Sequence, residues 1–365
     1  MGEELKALEK NDTWEVVDRP ARQSIVDCKW VYKVKQNFDG TTERYKARLV
    51  ARGFTQRPGY DYDETFSPVV RYESLRLLLA LSAHNGWRLQ QCDVKSAFLH
   101  GDLKEEIYME LPPGQGQVGK VARLKKCLYG LKQSSREWYG KLSKSLESKG
   151  FVSAHFDPCV FIHKEECLFI SIYVDDIALY GPDKSRIAEI ISQLKGEFEV
   201  TDLGDATWLL GIHIEYNQKG ITLSQHNYID KVLHRFNMEN SRSVSTPLQE
   251  NIKLHAGMGD DCIENITHYQ SMIGSLMYAV VGSRPDLAHT ITLLSQFNSC
   301  PTAEHLRAVK HTLRYLSGTR NMKLHYPSKS PLVLEGFSDA SYASCPNTRR
   351  SFLRNIFRIG NSTIT

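Results

Sequence analysis

The stretch CLFISIYVDDIALY (Cys167–Tyr180) decides how the chain is read. Its two apolar arms, Cys167–Val174 and Ile177–Tyr180, flank Asp175-Asp176, which predicts a tight hairpin with two carboxylates in its bend. An Asp-Asp pair marks an ordinary surface turn in many proteins. Here Ile170, Ile172, Val174, Ile177 and Leu179 surround it, and apolar strands carry two like charges only at a cost that function has to justify. A third carboxylate, Asp93, ends the strand expected over Arg88–Val94. Neighbouring strand residues face opposite sides, so at most one of Asp175 and Asp176 is expected as a full metal ligand, with Asp175 favoured. Mg²⁺ prefers oxygen ligands, and two such ions about 4 Å apart activate an attacking hydroxyl and stabilise a leaving phosphate.

Working outward, CKWVYKVK (Cys28–Lys35), Asn37–Gly40 and RYKARLVAR (Arg44–Arg52) predict a hairpin turning at Asp39-Gly40. Its second strand places Lys46, Arg48 and Arg52 on one face and Ala47, Leu49 and Ala51 on the other. Trp30, Tyr32, Tyr45 and Phe54 serve either as core or as stacking surfaces for bases. Helices are expected over Glu73–Asn85, stopped by Gly86, over Glu137–Lys149, and over Lys184–Phe198 behind Asp183 as cap. Trp208–Tyr216 and Gly220–Leu223 read as another hairpin, with His213 a satisfied side chain of a buried strand. The polar run from Glu239 to Asn265 reads as a linker. Helices follow around His268–Val281, Pro285–Asn298 and Thr302–Ser317, with Glu304-His305 expected on a solvated surface.

At ~100–200 residues per domain, 365 residues suggest two or three domains. Charged residues make up 24%, and the longest uncharged run, Asn265–Ser283, is broken by Thr267, His268, Gln270, Ser271 and Ser275, so no membrane span is expected. MGEELKALEK lacks the apolar centre of a signal peptide, and Lys6 stands where a myristoylation signal needs Ser or Thr. A cytoplasmic, reducing location is the expectation. The eight cysteines include no C-x-x-C pair and read as buried thiols. A net charge of +4 hides two stretches of +7 each, Arg19–Arg57 and Gly119–Lys149, against −10 elsewhere, which points to a polyanionic partner.

YVDD (Tyr173–Asp176), with KWVYKVK, RYKARLVARGFTQ, DYDETFSPVV, DVKSAFLHGDL, LYGLKQSSREWY, SLMY and RPDLA in order, resembles the polyproteins of copia-type LTR retrotransposons in their reverse transcriptase region. The resemblance implies an α+β right-hand polymerase: fingers, a palm with a split βαβ sheet and a thumb over 1–238. A linker over 239–267, a helical connection over 268–330 and an incomplete RNase H-like end over 331–365 complete that division. It implies an RNA-directed DNA polymerase that transfers nucleotides to a primer 3′-hydroxyl on two Mg²⁺ ions, or Mn²⁺, held by Asp93, Asp175 and Asp176. The implied partners are an RNA template, a DNA primer and deoxynucleoside triphosphates, with no membrane.

Residue by residue, the resemblance implies that Lys46, Arg48 and Arg52 grip the triphosphate, with the pairing of side chain and phosphate open. Phe98 either crowds the sugar and excludes a 2′-hydroxyl or is a core aromatic. Gly130, Lys132 and Gln133 lie under the incoming base pair, and Trp208, Leu210 and Gly211 belong to the hairpin that holds the primer end. Ser135 replaces the proline that many relatives carry there. The rival expectation is an inactive, truncated remnant that at most binds nucleic acid; a metal-dependent nuclease ranks behind both. GFSDASYA (Gly336–Ala343) resembles the first strand of RNase H, with Asp339 as its first acid, but too few residues follow for the rest, so no RNase H activity is expected. GQGQVGK (Gly114–Lys120) nearly spells a phosphate loop, yet it continues with Val121 and follows two prolines.

Overall fold

Strand Leu168–Tyr173 turns through Val174-Asp175 and returns as Asp176–Tyr180, pairing Tyr173 with Asp176 and Phe169 with Tyr180. The computed structural model describes residues 1–36, 41–257, 261–345 and 347–365, so the turn expected at Asp39-Gly40 lies outside the described residues. The hairpin forms the middle of a six-stranded sheet in the order Val200–Asp205, Gln90–Val94, Asp176–Tyr180, Leu168–Tyr173, Asp157–His163, Val152–Ala154. Ile170, Ile172, Ile177 and Leu179 are all buried, which is why both arms read as apolar runs. Helix Ser134–Glu147 starts ahead of its expected Glu137 and buries Trp138, Leu142 and Leu146. Helix Lys184–Glu197 buries Ile187, Ile190, Ile191 and Leu194, and the Asp183 carboxylate accepts from the Ser185 and Arg186 N–H groups at its start.

Two compact units divide the chain: Met1–Val70 with Gln90–Gly204, and Arg71–Leu89 with Asp205–Thr365. Of the segments read from the sequence, 1–238 contributes to both units and the rest to the second. In the first unit, a four-stranded sheet (Trp14–Asp18, Lys120–Lys126, Asp102–Met109, Ile25–Val26) shares a core with the two-stranded ribbon Cys28–Gln36 and Thr42–Ala51. Leu49 and Ala51 point into that core, as the strand's alternation requires. On the ribbon Tyr32 and Tyr45 are exposed, as is Phe54 in the 3₁₀ turn Gly53–Thr55 that follows, whereas Trp30 packs.

In the second unit, helices Tyr72–Asn85, Ile266–Gly282, Ala288–Ser295 and Ala303–Gly318 accompany a four-stranded sheet of Trp208–Leu209, Ile212–Asn217, Gly220–Ser224 and Leu324–Pro327. Leu75 and Leu79 of the first helix line a small internal void with Leu209, Ile212, Ile214 and Leu223. Several expectations are corrected here. Trp208–Tyr216 is two strands, because Leu210 (φ 49°) and Gly211 (φ 76°) both adopt the left-handed conformation and fold Leu209 back onto Ile212. The Pro285–Asn298 helix is a 3₁₀ turn, Pro285–Leu287, followed by Ala288–Ser295.

His305 is fully buried, stacked on Phe297 at 3.9 Å, and its Nδ1 accepts from the Thr302 N–H; the amphipathic pattern placed it wrongly because the imidazole serves as helix cap. The polar stretch after Glu239 is irregular but not detached: Leu254 is buried in the helical core and Val244, Leu248, Ile252 and Ile263 pack on it. Cys262 and Cys300 form a disulfide and Cys167 is exposed, so only Cys28, Cys92, Cys127, Cys159 and Cys345 are the buried thiols expected. Leu334–Ser341, Phe352–Ile359 and Ser362–Thr363 make a three-stranded sheet. No helix among the described residues is long and apolar enough to cross a membrane.

Candidate active site

Strand Gln90–Val94 pairs with Asp176–Tyr180 in the register that sets Asp93 directly opposite Asp176. Cross-strand partners face the same side of a sheet, so these two carboxylates are neighbours, and like charges so placed repel. Asp175 follows in the bend, where its carbonyl accepts from the Val94 N–H at 2.9 Å and ties the turn to the Asp93 strand. Burial pushes the Asp176 carboxyl above the usual carboxylate range; the Gln91 amide, donating at 3.2 Å, works against that, while the charges of Asp175 and Asp93 add to it. Asp176 thus shares the face of Asp93, with Asp175 beside it in the bend.

The turn itself is strained. Val174 has a φ of 58°, a conformation that β-branched side chains avoid and that two-residue hairpins reserve for glycine. Trp138, only 1% exposed, donates its indole N–H to the Val174 carbonyl at 2.8 Å and so fastens the turn from the helix beneath it. The four-residue spacing of Trp138, Leu142 and Leu146 accounts for the burial of the ring but gives no sign of this bond.

Arg48 and Phe98 converge on a residue the sequence reading passed over, Tyr129. The Arg48 guanidinium lies 4.4 Å above its ring, and Phe98 meets it edge to face at 4.7 Å and 66°. Phe98 is half-buried, so it is neither sealed in the core nor free. Arg52 is turned toward Asp27 at 3.2 Å, and Lys46 lies directly opposite Lys33 on the ribbon. Gly130, with a φ of 96°, has no room for a Cβ, which would overlap the carbonyl of Ala51; its close approach is to the chain's own strand. Lys132 is exposed, while its N–H donates to Gln56 Oε1 at 2.8 Å.

Gln133 is expected under the incoming base pair. It is 1% exposed, and its amide donates to the Asp61 carbonyl and to Glu105 and accepts from Gln56, so both of its donor hydrogens are taken within the chain. It braces the loop from within. Trp208, Leu210 and Gly211 belong to the second unit. There the Tyr278 hydroxyl donates to the Leu210 carbonyl at 2.9 Å, and Trp208 rests on His213 at 4.6 Å. Residues 114–119 of the near phosphate loop are exposed. No group of three His, Cys, Asp or Glu side chains among the described residues is arranged to hold a metal ion by itself.

The sequence profile of the family described as "Reverse transcriptase (RNA-dependent DNA polymerase)" matches residues 11–250. The chain is 42% identical to the retrovirus-related Pol polyprotein from transposon TNT 1-94 of Nicotiana tabacum, a match that covers 100% of the chain and 28% of that protein. It is 39% identical to the corresponding polyprotein from transposon RE1 of Arabidopsis thaliana, over 94% of the chain and 24% of that protein. The chain thus spans about a quarter of the length of the curated relatives it matches. Among solved structures, the foamy viral protease-reverse transcriptase in complex with RNA/DNA hybrid aligns with a TM-score of 0.48 at 15% identity, over 99% of this chain and 41% of that one.

Proposed function

Because the chain belongs to the reverse transcriptase family, whose members related to it are retrovirus-related Pol polyproteins of copia-type transposons, we propose that it is an RNA-directed DNA polymerase. The observation that carries the reading is the register that sets Asp93 opposite Asp176 with Asp175 in the same bend. Three acids gathered at one turn suit divalent metal, and Mg²⁺ needs only one or two carboxylates when substrate phosphates complete its shell. A ready-made protein cage is therefore not required. Asp93, Asp175 and Asp176 would hold a pair of Mg²⁺ ions, with Mn²⁺ as substitute. When bound, the metal supplies charge stabilisation at the entering and leaving oxygens.

The chain's own side chains supply position. The exposed basic ribbon takes the anionic nucleic acid and nucleotide, with Lys46, Arg48 and Arg52 facing the triphosphate and Lys132 a phosphate. Phe98 crowds the sugar. The primer 3′-oxygen forms its bond to the α-phosphorus of the deoxynucleotide as the bond to pyrophosphate breaks, and catalysis comes from holding these atoms in line. Trp208, Leu210 and Gly211 hold the primer end in this reading. The test is primer extension on an RNA template with Mg²⁺, using wild type, Asp93→Asn and Asp175→Asn. Extension by wild type alone is expected; equal signal from all three proteins, or binding without extension, sinks the proposal.

A further inference from the structure

Tyr129 stands where the residues assigned to the triphosphate and to the sugar meet, and the nucleotidyl-transfer reading gives it no task. Its ring is held from two directions: the Arg48 guanidinium lies 4.4 Å above its face and the Phe98 ring approaches edge-on at 4.7 Å. The backbone beneath it is fixed on both sides as well. The Tyr129 carbonyl accepts from the Ala51 N–H at 2.8 Å, on the strand that carries Arg48. Two residues earlier, the Cys127 N–H donates to the Gly101 carbonyl at 2.9 Å, and the Gly101 N–H donates to Phe98 at 3.0 Å. Neither Gly53 nor Gly130 has space for a Cβ at this junction. Burial raises the Tyr129 hydroxyl; Arg48 opposes, and the charges of Asp175, Glu4 and Asp93 reinforce the rise, so the carboxylate cluster is within electrostatic reach of the same ring.

A cation above an aromatic face and a ring at its edge are both directional attractions, so moving one displaces the other through the shared ring. We propose that Tyr129 is a positioning residue that holds Arg48 and Phe98 in one geometry, so that grip on the triphosphate and rejection of a ribose 2′-hydroxyl are set together. The proposal rests on the polymerase reading above and adds to it the residue that couples two of its contacts.

The full chain is assayed by single-nucleotide primer extension, with kcat and KM measured separately for dGTP and GTP. In Tyr129→Leu, KM for dGTP rises about five- to thirtyfold with a smaller change in kcat, and the preference for dGTP over GTP narrows about tenfold. Tyr129→Phe, which keeps the ring, restores most of that preference. Arg48→Gln releases the ring from the other side and narrows the preference too, and the double variant loses no more than Arg48→Gln alone. A kcat loss equal for both nucleotides with the preference intact marks Tyr129 as a mere prop and overturns the proposal, as do multiplicative losses in the double variant. Should Tyr129→Leu not fold, an unchanged preference in Arg48→Gln overturns it equally. Wild type that extends no primer overturns the polymerase reading together with this one, whereas wild-type extension with an unaltered preference in the variants overturns the role of Tyr129 alone.

Discussion

Asp176 holds a proton more readily in the folded chain than in the unfolded one, because it is buried and faces Asp175 and Asp93. The native state therefore binds the extra proton between the ordinary carboxylate value of 3.8 and the raised one, and this group's penalty on stability, present above the raised value, is relieved as pH falls through that window. Without divalent cations, Asp176→Asn is expected to melt higher than wild type at neutral pH, by about 0.2–1 kcal/mol, with the gap closing toward acid. Thermal melts across pH check this. Adding Mg²⁺ should raise the melting point of wild type more than that of Asp176→Asn, a readout independent of catalysis. The sequence made the three acids legible through their apolar flanks. It could not show which two face each other, since that depends on a register between strands more than eighty residues apart.

Among the elements, the carboxylate hairpin and the helix Ser134–Glu147 behave as one piece, joined where Trp138 donates to Val174. A valine at φ 58° stores strain of about 1–3 kcal/mol, which the surrounding bonds must hold in place. Trp138→Phe keeps the buried ring and removes the donor. It should cost about 1–3 kcal/mol of stability for the unpaired carbonyl and lower kcat by about ten- to a hundredfold through a misplaced Asp175, with nucleotide KM little changed. Denaturant unfolding and steady-state extension measure the two effects. A KM effect with unchanged kcat would contradict this account. Periodicity located both elements from sequence because their apolar faces are long and regular. It missed the break at Leu210-Gly211, where the signal is local turn chemistry inside an apolar run, and the burial of His305, whose Nδ1 is bonded at its own helix start.

For the whole molecule, both basic stretches carry ion pairs, with Arg19, Arg52 and Arg57 of the first beside Glu110, Asp27 and Asp61. In Gly119–Lys149, Lys120, Arg123, Lys125, Lys126, Lys141 and Lys149 are each paired with an acid from another part of the chain, including Asp18, Glu15, Asp12, Asp102 and Glu197. On the ribbon, Lys33 faces Lys46 across the strands, an arrangement that favours an anionic partner. Local charge counting could not distinguish the cases, because the neutralising acids are remote in sequence. Lys33→Ala should therefore flatten the dependence of log affinity for primer-template on log salt by about 0.7–0.9, while Lys125→Ala leaves it nearly unchanged. Filter binding over a salt series decides between them, and equal effects would refute the distinction.

The excursion Arg71–Leu89, which leaves one unit for the other and comes back, also constrains how such a chain can change by inheritance. A single recombination point after Gly204 would join a sheet of one ancestry to a helix of another, setting Leu75 and Leu79 against strangers at Leu209, Ile212 and Leu223. Neither unit can be exchanged whole by one crossover.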